Sequence, residues 1–218
     1  MLPFYGRKLS RNKKKFNYKD LESSPFFFDQ LNFKDLELRI KEKPSLVNLE
    51  IGYGTGDNII LQSEERKKEI FIACDPFLSG AVKLMKKIKL YSSKNVYFTD
   101  LEFWNLFKLI RNLRFNKIYV LFPDPWQKKK HNKRRLINNE FVKKLKIITT
   151  DESKIFIATD DQDYSNQILK CFLEERFFKL FGLNQKNLKF NDVDLFPTKY
   201  YNKAIIEKKK INLFIFRK

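Results

Sequence analysis

Short apolar runs alternate with longer amphipathic segments along most of this chain. The apolar runs have the length and composition of buried strands. They lie at 46–51, 70–74, 96–99, 117–122 and 154–159. Each is followed by a stretch whose apolar positions repeat at helical spacing, and these predicted helices lie at about 56–67, 78–90, 102–112, 137–148 and 162–176. Such alternation predicts an α/β fold in which a doubly wound, mostly parallel sheet carries helices on both faces.

The N-terminal residues break this alternation. Residues 1–20 lack an apolar period and are dense in positive charge, which is typical of a flexible basic arm. A helix is predicted at about 25–42, and Pro44 would end it. Residues 21–218 show no internal repeat and no linker, so we expect a single domain after the arm.

The C-terminal residues are less regular than the middle of the chain. The pattern predicts a strand near 177–181, a helix near 198–208 and a last strand at 211–216. Because no long helix separates each of these strands from the next, we expect an antiparallel strand at the edge of a seven-stranded sheet.

Composition narrows the class of protein. Within 218 residues no apolar stretch is long enough for a membrane-spanning helix, and the N-terminus has no apolar run typical of a secretory signal. Two cysteines and one histidine show no metal-ligand spacing. We therefore expect a cytoplasmic protein with reduced thiols, no metal and no membrane partner, acting as a monomer or a homodimer.

Charge points to a partner made of phosphates. The formal net charge is +19, and the positive residues cluster. Residues 128–135 hold six Lys or Arg, and residues 7–19 hold seven without an acidic residue. Lysine is frequent throughout the chain, but these two clusters exceed its average frequency.

A glycine motif follows the first predicted strand. Gly52, Gly54 and Gly56 stand where a strand passes into a helix, a position at which backbone approaches a nucleotide cofactor. A dinucleotide site prefers G-x-G-x-x-G, whereas here the third glycine comes one residue early and Asp57 is charged. A negative charge suits a cofactor with an ammonium and a sulfonium. The motif favours S-adenosylmethionine over NAD, with a simple tight turn as the structural alternative.

Acidic residues end several predicted strands. Ligands of such sheets bind outside the carboxyl ends of the strands. Asp75 follows the second strand and could accept both hydroxyls of a ribose, and Asp100 follows the third and could meet an adenine amino group. Asp160 follows the fifth and would face the same crevice. Each of the three could instead cap the next helix.

Asp124 is the strongest catalytic candidate. It ends the fourth strand between Pro123 and Pro125, which fix the backbone and remove two N–H donors. Trp126 offers a flat surface that could stack on a base. In the basic run that follows, Arg134 and Arg135 are best suited to bidentate phosphate contacts, and His131 to a phosphate contact or a loop strut.

These segments together resemble one family, the bacterial tRNA (guanine-N7-)-methyltransferases, which are class I S-adenosylmethionine-dependent methyltransferases with a Rossmann-like fold. The resemblance runs from Gly6-Arg7 to the C-terminus. It is most specific in Phe122-Pro123-Asp124-Pro125-Trp126 and His131-Asn132-Lys133-Arg134-Arg135. The segments 49–52, 158–160 and 198–200 agree in order and spacing.

The resemblance implies methyl transfer from S-adenosylmethionine to guanine N7 in the variable loop of tRNA. The implied cofactor contacts are Glu50, Gly52, Gly54, Gly56, Asp75, Asp100 and Asp124. The implied guanosine contacts are Lys128, Asp160, Thr198, Lys199, Tyr200 and Tyr201. The expected tRNA contacts are Arg7, Lys8, Lys130, His131, Asn132, Lys133, Arg134 and Arg135. Asp124 is expected to position the base and the cofactor without abstracting a proton.

The chain departs from the family at two of these positions. The family usually has glutamate where Asp75 and Tyr201 stand. Tyr201 could stack on the guanine, or Asp160 could recognise the base alone. Two other functions remain open on sequence, a non-catalytic RNA-binding protein and a small-molecule methyltransferase; the acidic residues argue against the first, and the net charge against the second.

Overall fold

The computed structural model describes residues 6, 8–9, 18–42, 45–183 and 195–218, and the chain divides after Leu113 into two compact units. Most of the predicted arm, with Arg7, lies outside the described residues, and so does Pro44. The assignment of 21–218 to a single domain stays a prediction. Seven strands form the mixed sheet of the α/β fold, three in the first unit and four in the second.

The first unit contains three parallel strands in the order β3-β2-β1. Every residue of β1 and β2 is buried, as expected of parallel strands covered on both faces. Strand β2 is apolar throughout, whereas β1 also buries Asn48 and Glu50. The helices alternate with the strands, as the sequence predicts. The elements are α1 (Lys19–Glu22), α2 (Phe33–Glu42), β1 (Val47–Ile51), α3 (Asp57–Glu65), β2 (Ile70–Cys74), α4 (Leu78–Tyr91), β3 (Val96–Thr99) and α5 (Phe103–Ile110).

The predicted helix at 25–42 is wrong in its first half. Residues 26–28 lie alongside β3, where the Phe28 N–H donates to the Phe98 carbonyl (2.9 Å) and the Phe98 N–H to the Phe26 carbonyl (2.9 Å). A turn then separates this segment from α2, because the Asp29 carboxylate accepts the N–H groups of Leu31 and Asn32. Side chains of this kind compete with helical hydrogen bonds, so α2 begins only at Phe33.

The second unit contains four strands in the order β4-β5-β7-β6. Strand β4 pairs parallel to β5, while β7 pairs antiparallel to both β5 and β6. Stacked rings fill its core, with 5.2 Å separating the ring centroids of Tyr119 and Phe156 and 3.9 Å those of Phe172 and Phe216. The elements are β4 (Phe115–Leu121), a 3-10 helix (Lys129–Arg134), α6 (Asn139–Ile148), β5 (Thr149–Thr159), α7 (Gln162–Glu175), β6 (Lys179–Leu183), α8 (Lys199–Ile206) and β7 (Asn212–Arg217).

Strand β5 begins five residues before its predicted start. It follows α6 without a loop, and Thr149 is already paired with Phe115 of β4. The register then shifts, so that Lys117 pairs with Lys154. The intervening residues Asp151 and Glu152 are exposed and polar, and they give no apolar signal for a strand.

Candidate active site

The glycine loop of the first unit connects β1 to α3 through left-handed backbone. Gly52, Gly54 and Gly56 have φ values of +81°, +56° and +74°, which residues with a side chain adopt only at a cost. A Cβ atom on Gly56 would come within 2.6 Å of Leu84 Cδ1 on α4. One on Gly80 of α4 would lie 1.9 Å from the Gly54 carbonyl oxygen. Helix α4 therefore packs directly on the loop, and this packing requires glycine on both sides.

Glu50 stands on β1 just before this loop and is buried. Its carboxylate accepts a hydrogen bond from Asn58 Nδ2 at 3.0 Å. Desolvation outweighs this bond and raises the pKa of Glu50 to about 8. A carboxyl group in this state would be stabilised in its charged form by a cation brought next to it.

Asp75 follows β2 and holds the glycine loop. Its Oδ2 accepts the Gly54 N–H at 2.7 Å, and its Oδ1 accepts the Phe77 N–H at 2.9 Å. Helix α4 begins after Phe77, so Asp75 shapes the turn before the helix and does not cap it. The Asp75 carboxylate therefore lies directly against the backbone of the glycine loop.

Asp100 follows β3 and is half-buried. Its Oδ2 accepts a hydrogen bond from the Tyr18 hydroxyl at 3.1 Å. The N-cap of α5 is Glu102, so Asp100 does not cap that helix. Burial, followed by the charge of Asp100, raises the pKa of Tyr18, which keeps the phenol protonated and able to donate. Of Arg7 and Lys8, the two tRNA contacts expected in the N-terminal arm, only Lys8 is among the described residues, and it is exposed.

Asp124 lies in a strained loop of the second unit. On either side of it, Phe122 and Trp126 have φ values of +55° and +43°, which are uncommon for residues other than glycine. The Phe122 N–H donates to the Ala158 carbonyl at 2.8 Å, which extends the pairing of β4 with β5 by one residue. Asp124 is exposed, yet desolvation by its surroundings raises its pKa.

The basic run that follows separates into two sets of side chains. Lys129, Lys130 and Lys133 of the 3-10 helix are exposed, and so is Lys128 just before it. The other set lies near Trp126. The His131 ring is perpendicular to the Trp126 ring, with 6.0 Å between the two centroids. The Arg134 guanidinium carbon lies 5.1 Å from the centroid of the Trp126 ring. With its amide nitrogen facing the carbonyls, Asn132 donates to the Trp126 oxygen at 3.1 Å.

The surroundings of His131 disfavour the charged form of its ring. Desolvation, followed by the charges of Arg134 and Lys130, lowers its pKa. The contact of this ring with Trp126 fits the strut alternative, and the phosphate contact stays a prediction.

Arg135 is placed differently from the phosphate contact that the sequence predicted. Its side chain is only 1% exposed. Its Nε donates to the Pro125 carbonyl at 2.7 Å, and its Nη2 to Asp163 Oδ2 at 2.7 Å. The sequence could not distinguish this residue from its exposed neighbours, because residue type and charge are the same in both settings.

Asp160 follows β5 and does not have the capping role that the sequence left open. Helix α7 is capped by the next residue, Asp161, whose side chain accepts the Tyr164 N–H at 2.8 Å. Asp160 Oδ2 instead lies 3.1 Å from Lys209 Nζ. Lys209 also lies 2.9 Å from Glu207, so this ion pair is shared.

The segment 198–201 forms the start of α8. Thr198 caps the helix by accepting the Tyr201 N–H at 3.1 Å. Lys199 and Tyr200 are exposed, whereas Tyr201 is half-buried. The Tyr201 ring packs against the buried cluster that includes Leu121, Ala158 and Leu213.

A cavity of about 740 Å³ lies elsewhere on the first unit. Its lining includes Ile70 and Asn95, at the amino ends of β2 and β3, and side chains of both charges such as Arg39 and Glu64. The glycine loop, Asp75 and Asp100 stand at the opposite, carboxyl ends of the strands, so this cavity does not coincide with the candidate site.

Comparisons with known proteins show the family of this chain. Residues 44–213 match a family model described as "Putative methyltransferase". The tRNA (guanine-N(7)-)-methyltransferase of Wolbachia pipientis wMel is 34% identical over 84% of this chain and 80% of its own length. The chain belongs to the tRNA (guanine-N7-)-methyltransferase family. This confirms the resemblance and the enzyme class predicted from the sequence.

Further comparisons extend the same relationship. The tRNA (guanine-N(7)-)-methyltransferase of Neorickettsia sennetsu is 28% identical over 78% of this chain and 74% of its own length. The solved structure of the 16S rRNA methyltransferase KamB matches with a TM-score of 0.59 at 12% identity, over 87% of this chain and 94% of that one. At such low identity the match shows the fold alone, and it confirms the predicted class I methyltransferase architecture.

The two departures from the family pattern now have a structural setting. Asp75 is one methylene shorter than the glutamate usual in the tRNA (guanine-N7-)-methyltransferase family, and its carboxylate bonds the Gly54 N–H of the glycine loop. At the second position, Tyr201 provides apolar surface to the cluster beside β5 and β7. A glutamate at this position would place a charge against the cluster, whereas the Tyr201 ring packs on it.

Several residues of the site were missed by sequence reasoning. Gly80 carried a signal, since a glycine inside a helix often marks a close approach. Asn58 and Lys209 carried none, because only the fold brings them to Glu50 and Asp160. Among the described residues no helix is long and apolar enough to cross a membrane, and no group of three or more His, Cys, Asp or Glu side chains could hold a metal ion.

Proposed function

We propose that this chain transfers a methyl group from S-adenosylmethionine to N7 of a guanine in the variable loop of tRNA, forming 7-methylguanosine. The observation that carries the proposal is membership of the tRNA (guanine-N7-)-methyltransferase family over most of the chain. The positions of the acidic residues at strand ends and of the exposed lysines support it.

The first unit has the groups that S-adenosylmethionine needs. Glu50, buried and with a raised pKa, fits the ammonium of the methionine part. The Asp75 carboxylate fits the ribose hydroxyls, and the Asp100 carboxylate fits the adenine amino group. The left-handed backbone of Gly52 and Gly54 leaves open space, since a Cβ atom on either would meet nothing within 4 Å.

The second unit has the groups that a guanosine in tRNA needs. Asp124 and Asp160 follow the paired strands β4 and β5, so two carboxylates stand at one edge of the sheet. A carboxylate can accept the N1–H and the amino group of guanine, which no other base presents together. Lys130 and Lys133 are exposed and suit the phosphates of the tRNA backbone, and the exposed Lys128 suits the phosphate of the target guanosine itself.

The chemistry requires no general base. When bound, S-adenosylmethionine supplies an electrophilic methyl group: the N7 lone pair forms the new N–C bond, and the electron pair of the broken C–S bond stays on sulfur. No proton leaves the guanine, so Asp124 has none to remove. The base becomes cationic, and the carboxylates of Asp124 and Asp160 would stabilise that charge. Alignment of the reacting groups would provide most of the remaining acceleration.

A substrate analogue tests this proposal directly. The wild-type chain is given tRNA with either guanine or 7-deazaguanine at the variable-loop target, together with radiolabelled S-adenosylmethionine. The analogue lacks the N7 lone pair, so we expect label in the first tRNA and none at the target position of the second. Equal labelling of the two would place the reaction at another atom and contradict the proposal.

A further inference from the structure

The Arg135 side chain lies inside the second unit, although the residue belongs to the basic run. We propose that Arg135 is a positioning residue, which fixes the Asp124 loop relative to the turn that carries Asp160 and does not contact tRNA. The inference rests on the proposed function, in which these two carboxylates flank the target base.

One end of the Arg135 guanidinium holds the Asp124 loop. Its Nε donates to the carbonyl oxygen of Pro125 at 2.7 Å. Pro123 and Pro125 have no N–H group, so at these two positions the backbone can be held only by donors that reach its carbonyl oxygens. The strained φ values of Phe122 and Trp126 show that the loop needs such support.

The other end of the guanidinium holds the first turns of α7. Its Nη1 donates to Gln167 Oε1 at 2.8 Å, and its Nη2 to Asp163 Oδ2 at 2.7 Å. Helix α7 begins at Gln162, two residues after Asp160. The Arg135 side chain thus connects the residue after Asp124 to the helix that starts just beyond Asp160.

The surroundings of Arg135 favour a rigid connection. Its guanidinium carbon lies 4.9 Å from the ring centroid of Tyr164, which is fully buried. The Tyr164 hydroxyl accepts the Ile137 N–H at 2.9 Å, and Gln167 Nε2 donates to the Ile137 carbonyl at 2.9 Å. Both of these neighbours of the guanidinium are therefore fixed by further bonds.

Arginine is the only side chain that can make these contacts together. Its planar group presents several donors in fixed directions, whereas a lysine ammonium is a single charged point on a flexible chain. Because the side chain is only 1% exposed, a phosphate contact would require the guanidinium to move out of this buried position. The exposed lysines of the same run face solvent without any such rearrangement.

The test compares Arg135→Lys with wild type and with Lys133→Ala, a change at an exposed cation two residues away. For each variant we would measure kcat and KM for tRNA, the Kd for tRNA and the melting temperature. The fluorescence of Trp126 would be measured in a Trp104→Phe background, which leaves Trp126 as the one tryptophan of the 218-residue chain. We expect Arg135→Lys to lower kcat by roughly 10- to 100-fold, because small misplacements of reacting groups have effects of this size. Its tRNA Kd should stay within about twofold, and its Trp126 emission should shift.

Lys133→Ala should show the opposite pattern, with a higher KM for tRNA and an unchanged Trp126 spectrum. Asp163→Asn provides a second variant in case Arg135→Lys does not fold, because the Asp163 side chain is 73% exposed. Weakening this one ion pair should lower kcat by roughly 3- to 10-fold and move Trp126 emission in the same direction, because it loosens the same connection.

Three results would overturn the proposal. The first is a folded Arg135→Lys with wild-type kcat and Trp126 emission. The second is a loss of tRNA affinity at unchanged kcat, which would make Arg135 an RNA contact. The third is an unfolded Arg135→Lys together with an Asp163→Asn that has wild-type kcat and emission, which would make Arg135 a folding residue. If the wild type forms no 7-methylguanosine, the proposed function fails, while the Trp126 spectra still test the positioning of the loop.

Discussion

At the scale of single residues, Glu50 shows how a site can be set up for a cation before the cation binds. Its carboxyl group is buried with one amide donor, and desolvation raises its pKa to about 8. An ammonium group next to it would favour the charged carboxylate. Binding of the cofactor should therefore release a proton at neutral pH.

The Glu50 prediction concerns the pH dependence of affinity. The affinity for S-adenosylhomocysteine should rise between pH 6 and pH 8 and level off above, since Glu50 ionises with a pKa of about 8 in the free protein. Isothermal titration calorimetry in buffers of different ionisation enthalpy measures both the affinity and the released proton. Glu50→Gln should bind weakly and release none. A wild-type affinity that is constant over this range would contradict the assignment of Glu50.

Glu50 should also affect stability without the cofactor. The pKa of Glu50 is about 8 in the folded state and near the ordinary value of 4.5 in the unfolded state. Between these two pH values the folded state therefore binds more protons than the unfolded state. The contribution of Glu50 to stability is therefore fully present below about pH 4.5 and is lost as pH rises toward 8. Glu50→Gln should melt at a higher temperature than wild type at pH 8, and a lower melting temperature would contradict this.

Tyr201 is the residue at which the sequence left two alternatives. Its ring packs on the cluster near β5 and β7, and a part of it remains exposed. If the ring also stacks on the guanine, Tyr201→Phe should keep kcat/KM and Tyr201→Leu should lower it, since a stacking contact contributes about 1–3 kcal/mol. Leucine can fill the same apolar space, so melting temperatures should stay close. Equal kcat/KM in the two variants would assign base recognition to Asp160 alone.

At the scale of elements, the alternation of strands and helices could be read from the sequence, and the exceptions have local causes. Parallel strands covered on both faces are rich in apolar residues, so β1 and β2 were placed correctly, although β1 also buries Asn48 and Glu50. The start of β5 was missed because its first residues are polar, and half of the helix at 25–42 was wrong because Asp29 forms a turn. The acidic residues were found because chain order places them at strand ends.

Helix α4 packs on the glycine loop of the first unit with no room for an added atom. A Cβ atom on Gly80 would lie 1.9 Å from the Gly54 carbonyl oxygen, so Gly80→Ala must displace either the helix or the loop. We expect a loss of roughly 1–3 kcal/mol in the free energy of unfolding, which is typical of overpacking, and weaker binding of S-adenosylhomocysteine. Thermal melting and calorimetry measure the two effects.

Gly182→Ala is the matched control for this prediction. Its Cβ atom would lie 3.5 Å from Ile215 Cδ1, an ordinary contact, and the residue is in strand β6. The control should leave cofactor affinity unchanged. Similar losses of affinity in both variants would show that the effect is not specific to the packing of α4 on the loop.

At the scale of the whole molecule, the net charge of +19 should govern binding of tRNA. We expect the exposed lysines of the basic run to provide the part of this charge that contacts tRNA at the site, since Arg135 is buried. The sequence alone predicted the cluster of positive residues but not which of them are exposed and which are buried. The loop decides this, and His131, Asn132 and Arg134 support the loop through their contacts with Trp126.

The salt dependence of tRNA binding tests this division. Replacing Lys128, Lys130 and Lys133 together by alanine should lower the slope of log Kd against log salt concentration by about 1 for each phosphate that these lysines bind in the wild type. The matched control replaces Lys34, Lys67 and Lys68, three exposed lysines of the first unit outside the candidate site. Fluorescence anisotropy with labelled tRNA gives both slopes. If the two triple variants show the same reduction in slope, binding depends on total charge and not on this surface.

The most direct test of the central claim is the identity of the methylated product. Unmodified tRNA is incubated with the purified wild-type chain and S-adenosylmethionine, and the tRNA is then digested to nucleosides and analysed by mass spectrometry. The account predicts 7-methylguanosine, with mapping of the modified fragment to a single guanine of the variable loop. A methylated nucleoside other than 7-methylguanosine, or no methylation of a tRNA that binds tightly, would contradict it.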